Sequence, residues 1–76
     1  MAKDLSITLS HDRALVLFEW LSRTHSTGTQ DIQDQSEQRV LWDLEAELES
    51  ELAEPLQANY DDLLAAARSR VRDPSG

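Results

Sequence analysis

The sequence predicts a mainly α-helical fold, a small three-helix domain over residues 10–24, 34–54 and 59–72 with a short extended N-terminal segment. Three observations predict it. Apolar residues recur at helical spacing in three separate stretches. Polar or proline-containing segments separate those stretches. The chain has 76 residues, which is enough for one small core, so residues 1–76 are expected to form a single domain.

The segment before the first helix alternates apolar and polar residues. Leu5, Ile7 and Leu9 follow a period of two, which is typical of a strand. One interpretation is a minor two-stranded β element, in which Thr27–Gln33 pairs with this segment and Ile32 is its apolar anchor. The other is an extended lead-in whose apolar side chains pack against the helices.

The first predicted helix begins after Ser10, whose hydroxyl can accept a hydrogen bond from a free backbone N–H. It ends near Thr24, and Gly28 can adopt the positive φ that often closes a helix. Apolar residues cover most of its circumference, so we expect a central helix with neighbours on several sides. They are Ala14, Leu15, Val16, Leu17, Phe18, Trp20 and Leu21.

The second predicted helix begins at Asp34, and Glu37 stands where a capping box places its second side chain. It extends to about Glu54, because Pro55 cannot continue a helix interior. The Leu, Ala and Glu residues that dominate this stretch favour a helix over a strand. Its expected core stripe consists of Val40, Leu41, Leu44, Leu48 and Leu52.

The third predicted helix begins at Asn59, an N-cap residue type, with Asp62 placed to reach back to it. Its apolar stripe has the most regular helical spacing in the chain and consists of Tyr60, Leu63, Leu64, Ala67 and Val71. We expect the three helices to share one core, formed by Leu17, Phe18, Leu21, Leu44, Leu48, Leu64 and Ala67.

The charge of the chain is strongly negative, at −8, and unevenly distributed. Residues 31–62 contain eleven acidic residues and one basic residue, Arg39. A surface of this kind argues against direct binding to nucleic acid or to an anionic membrane, which require basic patches. The sequence has no secretory signal, and its longest apolar run is far below the ~20 residues that span a bilayer. A cytoplasmic protein is therefore expected.

No residue pattern in the sequence predicts catalysis, a cofactor or a metal ion. His11 and His25 are fourteen residues apart on one predicted helix, or about 21 Å, so they cannot share a zinc ion. The chain has no cysteine, and no phosphate-binding loop or nucleophile–base pattern occurs. The sequence therefore favours a protein that is not an enzyme.

Four carboxylates of the second predicted helix fall on one side of it. Asp43, Glu47, Glu51 and Glu54 are spaced at i, i+4, i+8 and i+11, and like charges at this spacing repel one another. One interpretation is a solvated face that arginines of the third helix partly balance. The other is a binding face for a basic partner.

Trp42 points away from the core stripe of its own helix, about 160° from Leu44. Tryptophan is frequent in the energetic centres of interfaces. The N-terminal segment could cover Trp42, or Trp42 could lie in a homodimer contact or in a contact with a foreign partner. Trp42 is therefore a candidate partner-binding residue together with the four carboxylates.

Three stretches, ALVLFEWLSR, EQRVLWDLEAELE and NYDDLLAAARSRVRD, resemble a group of small bacterial proteins with no assigned function. The resemblance covers Ser10 to Asp73. It implies a bacterial, cytosolic and mostly helical protein, and it transfers no active-site residue.

The sequence thus predicts a non-enzymatic, acidic protein-interaction module. A small inhibitor, antitoxin or immunity-type protein that masks a basic surface would have these properties. The alternative is an obligate homo-oligomer with a structural or accessory role.

Overall fold

The computed structural model describes residues 4–73, which form three helices. They are α1 (His11–Thr27), α2 (Gln35–Glu51) and α3 (Tyr60–Arg72), and a short 3-10 turn (Glu54–Leu56) connects α2 to α3. The predicted small, mainly α-helical three-helix domain is therefore confirmed.

Local capping explains where α1 and α2 begin and where α1 ends. Ser10 Oγ accepts the N–H of Arg13 at 3.2 Å, and Asp34 Oδ1 accepts the N–H of Ser36 at 2.8 Å. The hydrogen bonds from Ser36 also lower the pKa of Asp34. Gly28 has a φ of 69°, the left-handed conformation in which its N–H and the next one bond back to α1 carbonyls. As a result α1 extends to Thr27, three residues beyond the predicted end.

Two helix boundaries differ from prediction. Helix α2 ends at Glu51 rather than Glu54, because Leu52 adopts an extended backbone that turns its side chain into the core. The side chain of Asn59 makes no capping hydrogen bond, because its backbone (φ −98°, ψ 28°) is not in the extended region that aims an N-cap side chain at the helix.

The predicted two-stranded β element is wrong, since residues 4–73 contain no strand. The side chain of Gln30 bonds to the Leu21 carbonyl and to Thr24 Oγ1, which holds the loop at the far end of α1. The 17-residue helix α1 is about 25 Å long, so this loop and the N-terminal segment cannot meet. The alternative of a packed lead-in is also wrong, because Leu5 is 91 % exposed and Ile7 is 82 % exposed.

Helix α1 is the central helix, as predicted, and both other helices pack against it. At the side of α3, Arg70 contacts Asp12 and Tyr60 Oη donates to Glu19 Oε1 at 2.8 Å. At the side of α2, His25 contacts Glu45. Both neighbours therefore run antiparallel to α1. Burial, together with the bond to Glu19, raises the pKa of Tyr60.

The core lies where the three helices meet and is only partly the predicted one. Phe18, Leu21, Leu64 and Ala67 are buried as predicted. In place of three other predicted residues, Leu15 and Leu52 are buried, because the inward-facing arcs of α1 and α2 are rotated from those that periodicity suggests. Only partly buried are Leu17, Leu44 and Leu48. The largest error is Val40, placed in the core stripe but 63 % exposed.

Candidate functional site

Three carboxylates of α2 form an acidic ridge, which we define as Asp43, Glu47 and Glu51. One helical turn separates each from the next, and all three residues are exposed. Within residues 4–73, their carboxylates take part in no hydrogen bond and no ion pair. The ridge is therefore a row of hydrated negative charges without internal compensation.

Glu54, the fourth predicted member, is separated from the acidic ridge. It lies in the 3-10 turn that follows the end of α2, and its Oε2 accepts a hydrogen bond from His11 Nε2 at 2.5 Å. This bond is the main reason that the pKa of Glu54 is lowered. The side chain of Glu54 thus links the start of α1 to the end of α2 and does not extend the ridge.

Arginines of α3 do not balance the ridge in the way that the first interpretation required. Arg70 instead binds Asp12 on α1 through two hydrogen bonds of 2.7 and 2.8 Å. The same hydrogen bonds lower the pKa of Asp12. Arg39 lies one helical turn before Asp43 on α2, but among residues 4–73 these two side chains form no ion pair.

Trp42 lies beside α1 rather than beneath the N-terminal segment. Its ring is 5.5 Å from that of His25, measured between centroids, and His25 Nδ1 contacts Glu45 Oε1 at 3.1 Å. These residues line a shallow groove of about 180 Å³. Since Trp42 is still 40 % exposed, its covering by the N-terminal segment is wrong, and the two intermolecular alternatives remain predictions.

A larger groove lies at the other end of α2, and sequence reasoning missed it. Its apolar wall consists of Ile32, Val40 and Leu41, and the rim consists of Asp31, Ser36 and Glu37. Its volume is about 530 Å³. We call it the Val40 groove. A signal was available, because Val40 precedes Asp43 by three residues and so lies on the side of the acidic ridge.

The arrangement can bind but offers little for catalysis. The carboxylates of the acidic ridge point along an open helix face, where water hydrates them. Among residues 4–73, no group of three or more histidine or acidic side chains could hold a metal ion. None of the helices in that range has the length and apolar character to cross a bilayer.

No protein-family model matches the chain, and no curated protein or solved structure is significantly similar to it.

Proposed function

We propose that this chain is a non-enzymatic interaction module that uses the acidic ridge to bind a basic protein surface. The observation that carries the proposal is the unpaired state of Asp43, Glu47 and Glu51 within the described residues. A row of like charges costs stability in the free protein. A basic partner would convert that cost into a favourable interaction.

Charge geometry supports this role. The three carboxylates lie about 6 Å apart along α2, so a partner with arginine or lysine on successive helical turns would match them. Such pairs at an open rim mainly accelerate association and favour the correct partner over others. A small inhibitor, antitoxin or immunity-type protein that masks a basic surface fits this description, and the cytoplasm of a bacterium is the proposed setting.

The test compares partner capture by three forms of the protein. The ridge variant carries Glu47→Gln and Glu51→Gln, which remove two charges and keep side-chain shape. The matched control carries Glu49→Gln and Asp62→Asn, which remove the same net charge at exposed positions outside the ridge. Captured proteins are identified by mass spectrometry, and association rates are then measured with the purified partner.

We expect the parent and the control to capture the same basic protein, with slower association at high salt. The ridge variant should bind it at least tenfold more slowly. If the ridge variant and the control bind at equal rates, position on α2 is irrelevant and the acidic ridge is only a solvated face.

A further inference from the structure

Two apolar features of the described chain have no partner within it. The first is the N-terminal arm, residues 4–10, which is extended and carries Leu5, Ile7 and Leu9 on an exposed backbone. The second is the Val40 groove, whose apolar wall is open to solvent. Exposed apolar surfaces of this kind usually mark a contact with another molecule.

The total surface indicates how much contact is missing. The chain exposes 6150 Å², whereas a compact monomer of 8.6 kDa exposes about 4,700 Å². The excess of about 1,400 Å² is larger than the ~800 Å² that each partner buries in a stable interface of standard size. One copy of the chain thus exposes enough additional surface to form a dimer interface.

The arm cannot reach the groove of its own chain. His11 and His25 mark the two ends of α1 and are about 21 Å apart along its axis. Glu45 is beside His25, and Val40 is a further five residues along α2, about 7 Å beyond that level. Ile7 is only three residues from Ser10, which is about 10 Å of extended chain. An arm in this groove must therefore come from a second molecule.

We propose that the N-terminal arm of one copy lies in the Val40 groove of a second copy, and that the exchange is reciprocal. Two identical contacts related by a two-fold axis form a closed dimer. Ile7 and its apolar neighbours on the arm would pack against Ile32 and Val40. This proposal is independent of the acidic ridge, whose carboxylates remain outside the groove.

The polar groups of both surfaces fit this arrangement. An extended arm has backbone N–H groups that need acceptors once they leave water. The rim of the Val40 groove offers the carboxylates of Asp31 and Glu37 and the hydroxyl of Ser36. Residues 5–10 carry no charge, so the acidic rim does not repel them.

Disulfide trapping tests the contact, because the chain has no native cysteine to interfere. Ile7→Cys and Val40→Cys are made as separate proteins, mixed in equal amounts and oxidised. We expect a covalent heterodimer, since the proposed contact brings the two Cα atoms to about 4.4–6.8 Å. The matched control mixes Ile7→Cys with Ala65→Cys, which lies on an exposed part of α3.

The same substitutions combined in one chain distinguish exchange from folding back. We expect a dimer with two disulfides. A monomer closed by an internal disulfide would overturn the proposal, and so would a mixture that forms no more heterodimer than the Ala65 control.

Measurement of molar mass by light scattering tests the dimer without cysteine. The full chain should be dimeric, and Ile7→Asp or Val40→Asp should weaken dimerisation roughly tenfold or more. Both residues are exposed within one copy, so helix content should not change. Leu56→Asp, at an exposed apolar residue outside the contact, should remain dimeric. A monomeric parent, or a dimer that only Leu56→Asp dissociates, would overturn the proposal.

Discussion

Two leucines four residues apart provide a matched test of the packing. Leu52, which follows α2, is 7 % exposed and belongs to the core cluster, whereas Leu56, in the 3-10 turn, is 93 % exposed. Neither lies within an α-helix, so the helix propensity of alanine hardly affects the comparison. Changing each to alanine therefore isolates the effect of burial.

The expected difference follows from the size of the core. Removing most of a buried leucine side chain costs about 2–5 kcal/mol through lost transfer free energy and the cavity left behind. A domain of 76 residues has a total stability of only about 4–11 kcal/mol. Leu52→Ala should thus remove a large part of the stability, whereas Leu56→Ala should change it by less than about 0.5 kcal/mol.

Urea unfolding followed by circular dichroism gives the free energies, and a thermal scan gives Tm. Since 1 kcal/mol corresponds to about 6 °C for a domain of this size, Leu52→Ala should lower Tm by about 10–30 °C. A loss below about 1 kcal/mol for Leu52→Ala would refute the packing of α2 described above. Equal losses for both variants would refute it as well.

Three further perturbations test separate features of the structure. Gly28→Ala should lower the free energy of unfolding by about 1 kcal/mol, because a side chain disfavours the positive φ at this position; urea unfolding measures it. The pKa of Asp12 is lowered by its bond with Arg70, so its stabilisation exists above the ordinary pKa of 3.8 and disappears as pH falls below it. Acid titration of Asp12→Asn should accordingly show a shallower loss of stability in that range. Sodium chloride at 1 M should stabilise the free parent by screening the acidic ridge, and the variant with Glu47→Gln and Glu51→Gln should respond less in thermal scans.

Features that depend on nearby residues could be predicted from the sequence. The start of α1 at Ser10 and its end near Gly28 follow from hydrogen bonds within a few residues. Amphipathic spacing predicted three helices and the central position of α1 for the same reason. Apolar periodicity alone did not show which part of each stripe faces inward. Leu52 became buried and Val40 exposed because the packing partner determines the rotation of a helix.

The candidate site depended more on distant contacts, and the sequence predicted less of it. The acidic ridge was found because its members share one helix face. Glu54 was wrongly included because its partner, His11, is 43 residues away, and the covering of Trp42 by the N-terminal segment was wrong for a similar reason. Such pairs arise only once two helices have chosen their relative direction, which neither helix specifies by itself.

The central position of α1 has a consequence for synthesis on the ribosome. This helix precedes both of its neighbours in the chain, so its apolar surface leaves the exit tunnel before anything can cover it. An isolated helix of 17 residues is only marginally stable in water. The first unit able to pack is the pair of α1 and α2, and Leu64 and Ala67 of α3 close the cluster last. A nascent chain stalled before residue 60 should therefore expose apolar surface that chaperones recognise.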